Sequence, residues 1–339
     1  MTGRQRILAT LAGEPTDRLA AMPITMMFAA TQAGVPYGRY ASDHRMLVEA
    51  QLLTAERFDF DHVSVISDPA REAMDLGAAA CLFEDQPPAM DESQPLLADK
   101  ATLVALRPLD PWQGPRMRDR LDAIARFKQR VGDDKCIEGW VEGPIAEAAD
   151  LRGINTIMLD LIDDEAFVHD LLAFTLEQGV AFAKAQVEAG ADIIGVGDAA
   201  ASLLGPDFYR RFVWPNEKRL VDAIHAMGSR VRLHICGNTR PLLADMGRLG
   251  ADLVDLDYFA PVAEARAAMA PTQVLLGNLD PVRTLRDSSP DAITAALAHC
   301  HAAAGRAYIL GAGCEIPRDT PDAHVHALTG YARHAASQA

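Results

Sequence analysis

The stretch VRLHICGNTRPLLADMGRLGADLVDLD, residues 231–257, contains the unit from which the fold is built. Val231–Cys236 and Asp252–Leu256 are short apolar and β-branched runs, a pattern typical of buried strands. Between them, Arg240–Leu249 has the apolar spacing of an amphipathic helix and is long enough to connect two parallel strands. The stretch therefore predicts a βαβ unit on a parallel sheet.

The same rhythm recurs along the chain of 339 residues, with further amphipathic segments at Asp207–Met227 and Pro290–Ala304. Eight strands with helical crossovers predict an α/β fold of the TIM (β/α)8 barrel type, formed as a single domain over residues 1–339. The eight predicted strands are Leu19–Thr25, His62–Ser67, Cys136–Val141, Asp192–Val196, Val231–Cys236, Asp252–Leu256, Gln273–Leu276 and Ala307–Leu310.

Two segments do not follow this rhythm. Residues 1–18 are predicted to form an N-terminal helical extension that packs outside the barrel. Residues 84–117 (EDQPPAMDESQPLLADKATLVALRPLDPWQGPRM) are Pro-rich, have no clear period and lie between the second and third predicted strands. We therefore expect a long insertion after the second strand, near the mouth of the barrel, where it could act as a lid.

The chain is acidic, with 47 Asp and Glu residues against 32 Lys and Arg residues and a net charge of −15 at pH 7. Such a charge repels phosphate backbones and anionic membrane surfaces, so nucleic-acid and membrane partners are disfavoured. No apolar run approaches the ~20 residues of a membrane span, and the charged N-terminus is unlike a signal peptide, so we expect a cytoplasmic protein. The cysteines, odd in number, are expected to be reduced thiols or metal ligands; they are Cys81, Cys136, Cys236, Cys300 and Cys314.

His234 and Cys236 carry the sharpest chemical signal, because residues i and i+2 of a strand point to the same face and could bind one metal ion. A glycine-containing turn, GAGC at 311–314, offers a second thiol, that of Cys314, after the last predicted strand. Two thiolates and one imidazole suit zinc better than magnesium or calcium, and three protein ligands leave one coordination position for substrate. The alternative is that all three are buried packing residues, and the spacing alone does not decide between the two.

Six sequence blocks, spread over nearly the whole chain, resemble one known superfamily. The blocks are RQRILATLAGEPTDR (4–18), WVEGPIAEAADLRG (140–153), DAAASLLGPDFYRRFVWP (198–215), RLHICGNTRPLL (232–243), GNLDPVRTL (277–285) and YILGAGCEIPRDTPDAHVHAL (308–328). In this order they resemble the uroporphyrinogen decarboxylase-like superfamily, and within it the corrinoid methyltransferases of the methylcobamide:coenzyme M type.

This resemblance implies a TIM barrel and a zinc ion held by His234, Cys236 and Cys314. It also implies transfer of a methyl group from a methylated corrinoid to a small thiol, since zinc lowers the pKa of a bound thiol and keeps it nucleophilic. Glu142, at a predicted strand end, is either a fourth ligand that substrate displaces or a salt-bridge or helix-capping residue. The chain lacks the Asp-x-His-x-x-Gly pattern of corrinoid binding, the nearest string being DAHVHA at 322–327, so a separate corrinoid protein is the expected partner.

Polar residues at other predicted strand ends are further candidates, because the chemistry of a TIM barrel takes place where strands pass into βα loops. Asp198, like Glu142, is a candidate catalytic residue, and Asp68, Asp257 and Asn278 are candidates for substrate binding. The alternative for each is to cap a helix or to accept hydrogen bonds from loop amides. The histidines near the C-terminus are predicted to be solvated or packing residues; they are His299, His301, His324 and His326.

Three other functions stay open at this level. Uroporphyrinogen decarboxylase shares the fold, but its substrate carries many carboxylates and needs a cationic clamp. The Arg-Gln-Ala-Gly-Arg motif of that family is TQAGV at 31–35 here, without either arginine. Tetrahydrofolate could replace a thiol as the methyl acceptor, with Asp257 and Asn278 as its binding residues. A catalytically idle barrel that binds a small molecule or a partner at its mouth is the third, although the His/Cys/Cys set argues against it.

Overall fold

Seven parallel strands form the centre of the fold in the computed structural model, which describes residues 1–335. The strands of these residues are β1 (His62–Ser64), β2 (Ala80–Cys81), β3 (Ala89–Met90), β4 (Cys136–Glu142), β5 (Ile193–Gly197), β6 (Arg230–Ile235), β7 (Leu253–Leu256), β8 (Val274–Leu276) and β9 (Tyr308–Ile309). The parallel sheet has the order β1-β4-β5-β6-β7-β8-β9, and β2 and β3 form a separate antiparallel hairpin.

The segment around Ala21 lies between the two edge strands of the parallel sheet. On one side, Met22 N donates to Leu310 O and Leu310 N donates to Ala20 O, both at 2.9 Å. On the other side, Asp61 N donates to Ala21 O at 3.0 Å, just before β1 begins. Backbone hydrogen bonds therefore run from the end of β9 through this segment to β1, and the arrangement fits a TIM-like barrel.

The predicted first strand, Leu19–Thr25, is wrong in extent, because it forms only an isolated bridge between Ala21 and Leu310. Pro23 has no N–H to donate, so a regular ladder cannot continue along this segment. The other seven predicted strands are all present, with each bound within three residues of its predicted position. The pattern of apolar runs thus located the sheet correctly except where proline interrupts it.

Helices surround the sheet and supply the crossovers between its strands. The predicted helix Pro290–Ala304 is present with the same bounds. The predicted helix Asp207–Met227 is interrupted by a π-helical turn at Tyr209–Val213, and the predicted helix at 240–249 begins with a 3-10 turn. The α-helices of residues 1–335 are α1 (Gly3–Leu11), α2 (Met27–Gln32), α3 (Tyr37–Ser42), α4 (His44–Phe58), α5 (Arg71–Asp75), α6 (Pro115–Val131), α7 (Pro144–Arg152), α8 (Ile154–Asp163), α9 (Glu165–Ala189), α10 (Pro206–Phe208), α11 (Trp214–Ala226), α12 (Leu243–Leu249), α13 (Val262–Ala268), α14 (Pro290–Ala304) and α15 (Asp322–Ala335).

The N-terminal helix α1 covers the end of the barrel at which the strands begin. The prediction of a helix over residues 1–18 is wrong beyond Leu11, because Gly13 has a left-handed backbone (φ 72°) that ends the helix. Ile7 is fully buried and packs in a cluster with Ile193, the first residue of β5. The helix therefore packs beneath the strand starts rather than simply outside the barrel.

The insertion after β1 contains the hairpin of β2 and β3 and a 3-10 turn, Lys100–Ala105, before α6 begins. The loop of the hairpin is fixed at Asp85, whose Oδ1 accepts from Tyr37 N at 3.0 Å and from Arg318 Nη2 at 2.9 Å. Because Arg318 belongs to the loop after β9, the hairpin borders the mouth of the barrel. Its action as a lid stays a prediction.

The barrel interior is apolar near the strand starts and contains charged side chains further along the strands. Below the mouth, Trp140 occupies space that Gly195 and Gly197 leave free, since a Cβ on Gly195 would lie 2.2 Å from the Trp140 ring. Glu138 and Arg232 are almost completely buried, with relative exposures of 1% and 0%. Charged side chains thus occupy part of an interior that aliphatic residues usually fill.

No helix within residues 1–335 is long and apolar enough to cross a membrane. The predicted cytoplasmic location stays a prediction. The predicted single domain extends to residue 339, and residues 336–339 lie outside the described part of the chain.

Candidate metal centre

His234, Cys236 and Cys314 come together at the end of the barrel where the strands finish. His234 is the penultimate residue of β6, Cys236 follows that strand, and Cys314 lies in the loop after β9. His234 Nε2 lies 3.0 Å from Cys236 Sγ, and the two Sγ atoms are 3.9 Å apart. All three ligating atoms lie within 4.8 Å of one another, and they are the group of metal-ligating side chains found to converge in residues 1–335.

These separations fit a single ion with bonds of about 2.0–2.3 Å to nitrogen and sulfur. For a tetrahedral ion, two sulfur ligands at about 2.3 Å lie somewhat less than 4 Å apart, close to the observed 3.9 Å. His234 is only 3% exposed, whereas both cysteines are half-buried, so the thiols face the open side of the cluster.

A tight turn places the Cys236 thiol. Gly237 has a left-handed backbone (φ 89°), and a Cβ there would lie 2.9 Å from Ser202 Oγ, so the position requires glycine. The Gly237 amide donates to Asp257 Oδ2 at 2.8 Å, which ties this turn to the loop after β7. The turn directly after the strand therefore keeps Cys236 on the same side as His234.

A second close approach places the Cys314 thiol. Gly313 N donates to Leu279 O at 2.7 Å, and a Cβ on Gly313 would lie 2.3 Å from Tyr258 N. Glu315, which follows Cys314, is half-buried, and its carboxylate accepts a hydrogen bond from Met27 N at the start of α2. The Cys314 loop is thus fixed on both sides, against the loops after β7 and β8 and against α2.

The two thiols and the imidazole influence one another strongly. The hydrogen bond with Cys236 lowers the pKa of Cys314 to about 4, and the same bond raises the pKa of Cys236. Burial lowers the pKa of His234, but the charges of Cys236 and Asp255 outweigh it and raise that pKa well above its usual value. Within the cluster the negative charge therefore lies on the Cys314 sulfur, next to the imidazole of His234.

Asp257 and Asn278, the predicted substrate-binding residues, both lie beside this cluster but are engaged with the backbone. The Asp257 carboxylate accepts from Gly237 N and, at 3.0 Å, from Phe259 N. Asn278 Nδ2 donates to Asp257 O at 3.0 Å and to Ala260 O at 2.5 Å. Asp257 stabilises the turn that carries Cys236, and Asn278 stabilises the loop after β7; their binding of substrate stays a prediction.

Glu142 lies at the end of β4 but does not belong to the converging metal-ligand group. Its Oε1 accepts from Arg71 Nη2 at 3.0 Å, and its amide donates to Glu72 Oε1 at 3.0 Å. Burial raises the pKa of Glu142 well above its usual value. Of the two roles open at the sequence level, the geometry favours the salt bridge over the fourth ligand.

Asp198 and Asp68 are also engaged away from the thiols. Asp198 Oδ1 accepts from Ala146 N at 2.8 Å, in the first turn of α7. Burial raises the pKa of Asp198 well above its usual value, and the nearby Glu217 carboxyl adds to the effect. Asp68 Oδ2 accepts from Arg116 Nη2 at 2.7 Å. Asp198 therefore accepts a hydrogen bond in the first turn of α7 and Asp68 forms an ion pair; the catalytic role of Asp198 and the substrate-binding role of Asp68 stay predictions.

The C-terminal histidines occupy the positions expected of packing or solvated residues. His324 Nδ1 lies 2.8 Å from Leu285 O, and the His326 ring lies 4.9 Å from that of Phe58. His301 stacks on Tyr308, and His299 is exposed.

A set of buried acids, of which the sequence analysis identified only Glu142, lies on the opposite side of the mouth from the thiols. This acidic set consists of Glu72, Glu142, Glu147 and Asp150, and Arg71 lies among them. Both carboxyl oxygens of Glu147 are buried without a hydrogen-bond partner in the described structure. The spacing of Glu147 and Asp150, three residues apart on α7, was the available signal, since such residues share a helix face.

Four exposed apolar side chains lie on the loops around the thiols. They follow β5, β7 and β8 in sequence, and they are Leu203 (64% exposed), Tyr258 (39%), Phe259 (53%) and Val282 (42%). We call these four residues the apolar rim. Neighbouring loops hold it around the cluster, since Tyr258 contacts the glycine before Cys314. Exposed apolar groups that collect beside a site mark a surface able to bind a partner or ligand.

Comparisons with known proteins identify the family of the chain. Residues 2–335 match the family model described as Uroporphyrinogen decarboxylase (URO-D). The chain is 29% identical to methylcobamide:CoM methyltransferase MtbA of Methanosarcina mazei, over 98% of both chains. It is 28% identical to MtaA of Methanosarcina barkeri over 96% of both, and 29% identical to uroporphyrinogen decarboxylase of Frankia casuarinae over 88% of this chain and 80% of that protein.

A solved structure of a methyltransferase from Methanosarcina mazei has the same fold. The two superpose with a TM-score of 0.90 over 98% of this chain and 99% of the other, at 24% sequence identity.

Proposed function

The chain belongs to the uroporphyrinogen decarboxylase family, and within it we propose a corrinoid-dependent methyltransferase that moves a methyl group from a methylated corrinoid to a small thiol. The observation that carries this proposal is the convergence of one imidazole and two thiols within 4.8 Å at the mouth of the barrel. Decarboxylation of a porphyrinogen has no evident use for such a set of ligands, whereas methyl transfer to sulfur uses it to activate the acceptor thiol.

The metal that suits this set is zinc, bound by His234, Cys236 and Cys314. Two sulfurs and one nitrogen match its preferred ligands, and three protein ligands are the number that leaves room for substrate. A zinc ion there would supply Lewis-acid chemistry that keeps an acceptor thiol deprotonated near neutral pH.

The chain's own residues orient the acceptor and limit its approach. Trp140 lies beneath the cluster, with its ring centroid 6.4 Å from that of His234, and closes the path from the barrel interior. Asp257 fixes the turn that holds Cys236, and Asn278 fixes the loop that carries Asp257. An acceptor can therefore reach the thiols only from the mouth, which is also the side from which the methyl donor must come.

The donor is a corrinoid carried by a separate protein. The apolar rim surrounds the open side of the cluster and offers contacts for a large ring and its carrier. In the reaction the methyl carbon forms a bond to sulfur while its bond to cobalt breaks. Both electrons of that bond stay on cobalt, and the thiol proton is released to solvent or buffer.

The geometry disfavours the two enzymatic alternatives. For a decarboxylase, Arg39 is the nearest substitute for the missing arginines, but its side chain is 65% exposed and pairs with Asp43 at 3.6 Å. For a folate acceptor, the Asp257 carboxylate and the Asn278 amide already bond to backbone groups. Neither alternative gains a contact from this structure.

The proposal is tested by supplying the purified protein with methylcobalamin and, in separate reactions, a panel of small thiols, tetrahydrofolate or uroporphyrinogen. We expect cob(I)alamin to form with at least one thiol and uroporphyrinogen to stay unchanged. Turnover of uroporphyrinogen at a rate comparable to methyl transfer would overturn the proposal.

A further inference from the structure

A buried chain of charged side chains leads from the metal-binding cluster into the barrel. His234 Nδ1 lies 3.0 Å from Asp255 Oδ2. The same Oδ2 accepts from Arg232 Nη2 at 2.6 Å, and Arg232 Nη1 donates to Glu138 Oε1 at 3.0 Å. The side chains of all four residues are at most 4% exposed, so the contacts are shielded from water.

We propose that Asp255 is the positioning residue of the cluster, fixing the His234 ring so that Nε2 is directed at the metal position, and that Arg232 and Glu138 hold Asp255 in place. This inference rests on the proposed zinc-dependent function and concerns how the metal is held. Asp255 does not touch the metal position itself, because it contacts the far side of the His234 ring.

The geometry at the two ring nitrogens supports this role. A carboxylate 3.0 Å from Nδ1 favours the ring proton on that nitrogen, which leaves the Nε2 lone pair free to bind a cation. Nε2 is the ring nitrogen that faces Cys236 Sγ, at 3.0 Å. Carboxylates or carbonyls that accept from a metal-binding histidine in this way raise its basicity and fix its orientation.

The strand register explains why these side chains meet. His234 and Asp255 are directly paired residues of the neighbouring strands β6 and β7, so both side chains point to the barrel interior. Arg232 lies two residues before His234 on the same face and is paired with Gly195 of β5. Arg232 reaches Glu138 on β4 by crossing the interior beside the Trp140 ring, with its guanidinium carbon 5.9 Å from the centroid of that ring.

The contacts of Arg232 explain why the series of buried charged side chains continues beyond Asp255. A lone carboxylate in the barrel interior would be costly to bury, but Arg232 neutralises it with a two-nitrogen contact at 3.1 Å and 2.6 Å. The remaining Arg232 nitrogen is bound by Glu138 at 3.0 Å and 3.3 Å. The rigid guanidinium fork thus fixes Asp255 Oδ2, the same oxygen that lies 3.0 Å from His234 Nδ1.

The test compares zinc affinity in Asp255→Asn with that in the wild-type protein, by competition with a chromogenic chelator. We expect the variant to bind zinc about 10–100-fold more weakly, the range typical of lost partners of metal-binding histidines. The matched control is Asp245→Asn, which removes a carboxylate that is 1% exposed and paired with Arg210 at 3.0 Å, away from the cluster. The control is expected to lower the melting temperature but to keep the wild-type zinc affinity.

Unchanged zinc affinity in Asp255→Asn, or an equal loss in Asp245→Asn, would overturn the positioning role while leaving the proposed function intact. Absence of zinc binding by the wild-type protein would instead overturn the proposed metal site, and this inference with it. If Asp255→Asn does not fold, the same zinc-affinity measurement is made on Glu138→Gln instead. A fall in zinc affinity of that variant supports the chain of contacts, and wild-type affinity contradicts it.

Discussion

The two sides of the barrel mouth bury polar groups in different ways. On one side, His234, Cys236 and Cys314 converge within 4.8 Å and point to a shared centre. On the other, the acidic set surrounds Arg71, and Glu147 has no hydrogen-bond partner in the described structure. The first arrangement is suited to a cation, whereas the second relies on a single arginine and on raised pKa values.

The difference shows that a strand-end position alone does not identify a functional group. Glu142 follows the barrel pattern as closely as His234 does, since both lie at the ends of buried parallel strands. What separates them is the partner, which is an arginine for Glu142 and two thiols for His234. Convergence of ligands with suitable spacing is therefore the stronger criterion.

The largest effect is expected from Cys236→Ser on the thiol side. Loss of one of three ligands should remove most of the zinc and lower methyl transfer about 1,000-fold or more, since metal activation supplies several kcal/mol. Metal analysis together with a methylcobalamin assay measures both. Cys81→Ser, which changes an exposed thiol outside the cluster, is the control and should keep both properties. Global unfolding of the Cys236 variant would indicate a structural role for the site instead.

A large effect of another kind is expected from Arg71→Met on the acidic side. Arg71 is fully buried and lies 3.0 Å from Glu142 and 3.5 Å from Glu72, so its removal leaves buried carboxyls without their cation. We expect the free energy of unfolding to fall by about 3–5 kcal/mol in urea titrations.

Zinc content of the folded Arg71 variant should be unchanged, because its contacts do not reach the thiols. The matched control is Arg45→Met, which changes a side chain that is 63% exposed and should leave the free energy of unfolding almost unchanged. Loss of zinc in Arg71→Met would show that the two sides of the mouth are coupled.

The next effect, which is smaller within any one pH unit, concerns the pH dependence of stability and Asp150 of the acidic set. Burial raises the pKa of Asp150 to about 8 in the folded chain, whereas an unfolded aspartate titrates near pH 4. Between these values unfolding releases a proton, so a rise in pH favours the unfolded chain. Relative to Asp150→Asn, the wild-type free energy of unfolding should fall by up to about 1.4 kcal/mol per pH unit from about pH 4 to 8.

Urea titrations of both proteins at three pH values in this window measure the difference. Asp122→Asn, a change of an aspartate that is 42% exposed, controls for the loss of one negative charge. Parallel pH profiles for wild type and Asp150→Asn would contradict the raised pKa.

The smallest effect is expected at the apolar rim. Phe259→Ala removes a side chain that is 53% exposed, and we expect the KM for a methylated corrinoid protein to rise about 5-fold, equivalent to about 1 kcal/mol. The rate at saturation and the zinc content should not change. Leu159→Ala, at an exposed position on α8 outside the rim, is the matched control. An equal KM for both variants would show that the apolar rim is not part of the interface with the corrinoid protein.

Much of this site could be predicted from the sequence because strand alternation is a local property. His234 and Cys236 are two residues apart on one strand, and GAGC marks the turn that brings in Cys314. Asp255 was missed although it obeys the same alternation, because its pairing with His234 depends on the register between strands.

Long-range packing also explains the other differences. The direction of the Asp198 side chain depends on the position of α7, which its own sequence neighbourhood does not encode. Similarly, only the closed sheet shows that the segment around Ala21 joins both edge strands, by two backbone hydrogen bonds to Leu310 and one from Asp61.

The most direct test of the central claim is the rate of cob(I)alamin formation from methylcobalamin and a thiol, measured before zinc removal, after chelation and after zinc is added back. The account predicts formation with the thiol, loss of the activity on chelation and its return with zinc. Formation of cob(I)alamin with tetrahydrofolate alone, at a rate that zinc removal does not change, would contradict it.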